Sequence, residues 1–295
     1  MTRALFIVNA GSSSIKFKLY RILDDDIEFV LGGALDGIGS KPRLKAKDHA
    51  GKVLVERAFP AAEISSPSQA QHAVADWLTA QITDYTIVGI GHRVLHGGSV
   101  YSQPVLVDDD VLARLETFVP LAPLHQPSNL EPIRVLRQRH PDLPQVACFD
   151  TAFHHGHPEL SDRFALPRAL YDEGVRRYGF HGLSYEYVSD ALRKIAPDVA
   201  SARLVIAHLG SGASACALHG GRSIETTMSF SALDGVPMGT RPGSLDPGVV
   251  LHLIEQKGMT PAAVERMLYH ESGLLGLSGI SNDVRELLKS KSPIW

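Results

Sequence analysis

Apolar and polar positions alternate near the start of the chain in a way that predicts paired strands. Leu5-Phe6-Ile7-Val8 runs into the polar Asn9, small residues follow to Ser14, and a second alternation begins at Ile15. This period of two reads as strands over 4–9 and 15–20, with Asp24-Asp25-Asp26 turning into a third at 27–31. Residues 34–65 carry only irregular or short-stranded patterning. From Ser68 the period lengthens. Val74, Trp77, Leu78 and Ile82 recur at helical spacing, which predicts an amphipathic helix whose apolar stripe enters a core. A strand at 85–90 follows, then a helix at 109–118 and another opened by a Ser128/Glu131 capping box. Gln145-Val146-Ala147-Cys148-Phe149 is a strand of the buried type that stops at Asp150.

Beyond Asp150 the spacing predicts a helix over 184–195, with Tyr187, Val188, Ala191, Leu192 and Ile195 as its core face. Residues 203–219 again read as strand, Gly/Ser loop, strand, and Gly220-Gly221 turns into a third strand at 223–230. The layout repeats that of residues 4–31, and a repeated supersecondary unit fixes architecture. Two such hairpins suit two phosphate clamps; chance likeness of two hairpins is the other reading. Helices at about 247–256, from Pro261 behind Thr260, and after Ser281-Asn282-Asp283 complete the pattern. The expected organisation is an α/β chain of two domains, 1–150 and 151–295.

Composition narrows this picture a little. A length of 295 residues accommodates two domains, and 44% hydrophobic with 21% charged residues is the balance of a globular chain. A net charge of −3 gives no reason to expect nucleic acid or an anionic membrane as a partner. Cys148 and Cys216 lie in apolar runs and read as buried thiols of a reducing compartment. No apolar run approaches the ~20 residues of a membrane span, and Met1-Thr2-Arg3 leads directly into the first strand. A cytoplasmic location is the expectation.

Candidate chemistry is spread along the chain. The loop after Asn9 offers the Gly11 backbone, the hydroxyls of Ser12, Ser13 and Ser14, and the ammonium of Lys16, a set suited to a phosphate. The same residues make an ordinary hairpin turn, and by themselves favour that reading. Glycines bracket His92, Arg93 and His96; a guanidinium there binds a carboxylate or phosphate, or is a solvated charge at a strand end. His125 precedes a helix on a proline-stiffened loop, and His181 precedes another between Phe180 and Gly182. Asp150 sits beyond the carboxyl end of a strand, where ligands of open α/β sheets gather, or caps the next turn. Arg241 lies between Gly239 and Gly243. There is no Ser–His–Asp spacing and no Cys/His metal cluster. Lys16, Arg93, His125, His181 and Arg241, with Asn9 and Asp150 at strand ends, fit phosphoryl transfer. That reaction asks a protein for positioning and charge stabilisation rather than covalent chemistry.

Six segments together carry a resemblance. Asn9-Ala10-Gly11-Ser12-Ser13-Ser14-Ile15-Lys16-Phe17, Gly91-His92-Arg93-Val94-Leu95-His96-Gly97-Gly98, Phe149-Asp150-Thr151-Ala152-Phe153-His154, Arg177-Tyr178-Gly179-Phe180-His181-Gly182, His208-Leu209-Gly210-Ser211-Gly212-Ala213-Ser214 and Gly239-Thr240-Arg241-Pro242-Gly243 closely resemble the acetate kinase (acetokinase) family in order and spacing. The resemblance implies duplicated ribonuclease-H-like (actin-like ATPase) domains around a nucleotide cleft. It implies ATP-dependent phosphorylation of acetate with Mg²⁺, in a homodimer. By motif, Asn9 would bind the metal, and Lys16, with Ser12 and Ser14 of its loop, would contact nucleotide phosphate. Arg93 would hold the substrate carboxylate or phosphate, and Asp150 would be an acid/base or substrate-orienting carboxylate. His181 and Arg241 would stabilise the transition state with help from His125. His208, Leu209, Gly210, Ser211, Gly212, Asp283, Val284 and Arg285 would bind nucleotide. Ser211 and Gln126 stand where the family usually has Asn. Family members also continue past the length of this chain, with a Gly-Gly-Ile-Gly-Glu-Asn loop, a metal-ligand glutamate and a segment returning to the first domain. The second half is therefore expected to be incomplete, with an uncovered strand edge or apolar face and poor solubility. A propionate or butyrate kinase, and a non-catalytic nucleotide-binding remnant, are the competing expectations.

Overall fold

The computed structural model describes residues 1–11, 13–24 and 26–292, and the chain divides into two compact units, Met1–Asp150 and Thr151–Trp295. Among the described residues the first unit forms an eight-stranded sheet, ordered β5-β4-β3-β2-β1-β6-β8-β7. The strands are β1 (Thr2–Ala10), β2 (Ser14–Ile22), β3 (Ile27–Asp36), β4 (Arg43–Asp48), β5 (Val53–Ala58), β6 (Tyr85–Val94), β7 (Val105–Leu106) and β8 (Gln145–Phe149). The helices are α1 (Pro67–Gln81), α2 (Asp109–Glu116) and α3 (Gln126–Arg139). β1 to β5 form an antiparallel meander, whereas β1, β6 and β8 run parallel side by side. Period-two burial explains the core: Ala4, Phe6, Val8 and Ala10 of β1 and Ile15, Phe17 and Leu19 of β2 point to one face. Ala70, Val74 and Leu78 of α1 cover that face. β4 and β5 are the short strands expected within 34–65.

Three boundaries differ from the sequence reading for identifiable reasons. Helix α1 is capped by Ser66 rather than Ser68, because Ser66 and Gln69 form a reciprocal capping box ahead of Pro67. Strand β6 does not stop at Ile90 but runs to Val94. Gly91 lies within it, its missing Cβ leaving room for Ile7, whose Cδ1 would be 3.0 Å away. Helix α3 starts at Gln126 with Pro127 in its first turn, so Ser128 is inside the helix and caps nothing.

The second unit carries a three-stranded antiparallel sheet, β9 (Arg203–Leu209), β10 (Ala213–His219) and β11 (Arg222–Thr226), with β10 central. It repeats the connectivity of β1, β2 and β3, although β11 ends at Thr226, short of the expected 230. The helices are α4 (Glu159–Asp162), α5 (Arg168–Asp172), α6 (Gly182–Ile195), α7 (Pro197–Ala200), α8 (Pro247–Glu255), α9 (Pro261–His270), α10 (Gly273–Ser278) and α11 (Val284–Leu287). The inner stripe of α6 is not the apolar one read from sequence. Gly182, Tyr185 and Ser189 are buried, while Tyr187, Val188 and Ile195 are exposed. Small residues let the helix lie close to the sheet, and Tyr185 fills the gap against Cys216, Leu218 and Phe153. On the outer side of β9, Val205 and Leu209 are exposed. Cys148 and Cys216 form no disulfide. No described helix is long and apolar enough to cross a membrane.

Candidate active site

In the first unit the carboxyl ends of three adjacent parallel strands bring together residues far apart in sequence. Arg93 of β6 donates from Nε to both carboxylate oxygens of Asp150, just past β8, at 3.0 and 3.1 Å, and from Nη2 to Oδ2. Its Nη1 donates to Oδ1 of Asn9, at the end of β1, over 3.1 Å. Asp150 is almost wholly buried, and its carboxylate raises the Arg93 guanidinium further above its ordinary range, against the opposing effect of burial. A guanidinium has five N–H groups. These bonds leave one on Nη1 and one on Nη2 for a carboxylate or phosphate, so Asp150 orients the arginine without consuming its capacity.

The loop behind this cluster is held by two buried amides on α3. Asn129 accepts from the Leu95 backbone N–H at 2.8 Å and donates to the Ala10 carbonyl at 2.5 Å, tying β6 to the end of β1. Gln126 pairs with the backbone of His96 in both directions. His125 is the residue immediately ahead of α3. Lys16 is the register partner of Asn9 on β2 and is exposed on that strand, Ser14 opens β2, and Ser12 lies outside the described residues.

In the second unit His181 takes a left-handed backbone conformation, φ 60°, directly before α6. A non-glycine residue held there is strained and needs its surroundings to fix it. Its Nδ1 lies 2.8 Å from the Ser214 hydroxyl, and its ring stacks on His208 with centroids 4.1 Å apart. The His208 Nδ1 is in turn bonded to Ser184 at 3.0 Å. A Cβ added to Gly212 would lie 2.8 Å from Nη2 of Arg241 and 3.2 Å from Nε2 of His181. The two nitrogens therefore converge beside the Gly212 backbone, a close approach that a side chain at this position would disturb. Arg241 is anchored through Nη1 to the Ala232 carbonyl at 2.7 Å. Burial lowers its affinity for the proton. Among the described residues it has no ion pair, so it is a partly desolvated cation suited to an arriving anion.

Next to this point lies a cavity of about 740 Å³, lined by Leu209, Gly210 and Ser211, the loop from Pro237 to Thr240, Leu274, and the segment from Asn282 to Arg285. Asp283 caps α11, and its carboxyl is held down at about 2 by hydrogen bonds from Arg285. The loop is fixed to α10 by bonds from Leu274 and Leu275 to the carbonyls of Met238 and Gly239. A volume of this size accommodates a drug-sized or nucleotide-sized ligand.

The sequence profile of the Acetokinase family matches residues 4–293. The chain belongs to the acetokinase family. An acetate kinase from Nitrobacter hamburgensis is 54% identical over 291 residues, covering 98% of this chain and 72% of that protein. Among solved structures, a propionate kinase from Francisella tularensis superposes with a TM-score of 0.88 at 36% identity, covering 100% of this chain and 75% of its own. An acetate kinase from Porphyromonas gingivalis gives 0.82 at 34%, covering 97% and 72%. These likenesses extend through both units and agree with the α/β, duplicated actin-like ATPase architecture expected of an acetokinase.

Against the sequence reading, Asn9, Arg93 and Asp150 form one cluster, His181, Arg241 and His208 form another with Gly212, and 209–211 share a cavity with 283–285. Reading the acetokinase motifs alone missed Asn129, Ser214 and Tyr185 as supports. Asn129 had one available signal: with Gln126 it places two amides at helical spacing i and i+3 on the inner face of α3.

Proposed function

We propose that this acetokinase catalyses the reversible transfer of a phosphoryl group between ATP and acetate, giving ADP and acetyl phosphate. The observation that carries the reading is the convergence beside Gly212 of an imidazole nitrogen and a partly desolvated guanidinium that has no acidic partner among the described residues. Such donors stabilise the charge spread over the equatorial oxygens of a transferring phosphoryl group. Acetate is already an anion at neutral pH, so its oxygen attacks phosphorus in line without a general base. Bidentate engagement of Asp150 with Arg93 favours an orienting role for this carboxylate over acid/base work. The two remaining N–H groups of Arg93 bind the acyl carboxylate, and His125 assists at the phosphoryl group.

The cavity beside Gly210 takes the nucleotide, and Lys16 with its serine loop contacts phosphate. The nucleotide substrate is the magnesium complex. Among the described residues no cluster of three His, Cys, Asp or Glu side chains is placed to hold a cation. Magnesium would come in on phosphate oxygens and waters, with the Asn9 amide oxygen as a protein contact. A cytoplasmic homodimer is part of the same proposal.

Hydroxylamine trapping tests the reading. Purified protein with ATP, Mg²⁺ and acetate should form acetohydroxamate in proportion to enzyme, and omission of any one component should abolish it. Nucleotide binding without product would favour a non-catalytic binding module. Comparing kcat/KM for acetate, propionate and butyrate decides the acyl group. The Francisella tularensis neighbour keeps propionate in that comparison, and a methylene changes selectivity only modestly.

A further inference from the structure

We infer that Tyr185 and Ser214 are positioning residues that hold His181 in a single tautomer, with its proton on Nε2, facing the transferring phosphoryl group. The inference rests on the phosphoryl-transfer reading above and adds to it the state in which that histidine works.

Ser214 is fully buried on β10, and its hydroxyl is bonded to Tyr185 on one side and to Nδ1 of His181 on the other. The hydroxyl oxygen of Tyr185 accepts a hydrogen bond from the backbone N–H of His208. With that N–H arriving, the phenolic proton points to Ser214. The phenol keeps this proton throughout the working range, because burial pushes its pKa up to about 12. Ser214 Oγ accepts from Tyr185, so its own proton is directed to the remaining partner, Nδ1. A buried hydroxyl proton needs an acceptor. If Nδ1 carried a hydrogen as well, both Tyr185 and His181 would donate to Ser214, and the serine proton would have none of these partners to go to. The arrangement that satisfies every hydrogen runs from His208 N–H to Tyr185, from Tyr185 to Ser214, and from Ser214 to Nδ1.

The consequence falls on the other side of the ring. A neutral imidazole with Nδ1 as acceptor carries its proton on Nε2, the atom facing the Gly212 point with Nη2 of Arg241. His181 is thereby a donor to a phosphoryl oxygen, not an acceptor that would repel it. The groups packed around the ring agree with a neutral state. Arg241 supplies a positive charge on one side and the His208 ring stacks on the other, so a second cation would be repelled. The strained backbone of His181 places the ring where Ser214 can reach it, and Tyr185 comes from the first turn of the same helix.

The test reads the tautomer directly. In protein labelled with ¹⁵N-histidine, a long-range ¹H–¹⁵N correlation spectrum distinguishes Nε2–H from Nδ1–H, and His181→Gln identifies the His181 signals. The native protein should show the Nε2–H pattern. Tyr185→Phe keeps the ring packing but removes the donor to Ser214, and should give a mixture of tautomers. Ser214→Ala should do the same. Both variants should lose roughly five- to thirtyfold in kcat, with the KM for nucleotide changed by less than about twofold. An Nδ1–H pattern in the native protein, or an unchanged Nε2–H pattern in Tyr185→Phe, overturns the inference. A shifted tautomer with full kcat overturns the positioning role while leaving the kinase reading intact. The spectrum needs no turnover, so failure of hydroxamate formation would count against the kinase reading alone.

Discussion

Gly212→Ala isolates the space that the reaction needs. The added Cβ would lie 2.8 Å from Nη2 of Arg241 and 3.2 Å from Nε2 of His181, where ordinary contacts begin at 3.4 Å. The guanidinium must withdraw by about 0.6 Å and the imidazole by about 0.2 Å to restore ordinary contact, and displacements of that size at a reacting centre cost roughly tenfold in rate. The guanidinium is the softer partner, because among the described residues Nη1 is tied only to the Ala232 carbonyl. Stability should not fall. Gly212 is not in the left-handed region, so alanine fits its backbone, and the reduced freedom of the unfolded chain favours the variant by about 0.4–1 kcal/mol. The expected result is a kcat for hydroxamate formation lowered roughly tenfold, with an unchanged or slightly raised Tm. A variant with native kcat would refute the reasoning, because the reaction would then not depend on where Arg241 and His181 lie beside Gly212.

Three further perturbations have worked outcomes. Asp150→Asn leaves Arg93 with a weaker acceptor in a site where the carboxylate side chain is 2% exposed and the arginine 29%. Urea unfolding should show a loss of about 2 kcal/mol, below the usual cost of breaking a buried pair because the amide oxygen still accepts. Asn129→Ala strands the Leu95 N–H and the Ala10 carbonyl, both buried. Denaturant melting should fall by about 2–4 kcal/mol, with a raised KM for the acyl substrate as Asn9 and Arg93 lose register. His92 and His96 are buried, and desolvation lowers both from 6.5 to about 4. The unfolded chain takes up their protons first, so their contribution is complete above pH 6.5 and is lost as pH falls through about 4. That amounts to about 3 kcal/mol for each. Unfolding free energies at pH 7, 5 and 4 should follow this slope, and His92→Gln should flatten it.

Much of the fold was legible in local pattern. The period of two in β1 and β2, and the helical spacing of Val74 and Leu78, survive because each element buries one face against the other. Helix α6 was not legible in this way. Its apolar stripe at Tyr187, Val188 and Ile195 faces outward, and the inner stripe is made of Gly182, Tyr185 and Ser189. No periodicity rule prefers glycine and serine to isoleucine; close approach to the sheet and the Tyr185–Ser214 bond decide it. The Ser128 cap failed because Pro127 fits the first turn and moves the start to Gln126. Asn9, Arg93 and Asp150 were readable as polar residues at strand ends, but their meeting depends on three strands lying parallel and adjacent. Asn129 bonds to a carbonyl 119 residues away, and a single sequence carries no local sign of that.

The most direct measurement compares calorimetric binding of MgADP in the presence and absence of aluminium fluoride and acetate, for the native protein and for Arg241→Ala. If the guanidinium beside Gly212 grips a phosphoryl group in flight, the analogue should tighten nucleotide binding in the native protein and leave the variant almost unaffected, since the interaction is made chiefly in the transition state. Equal tightening in both proteins would contradict the account.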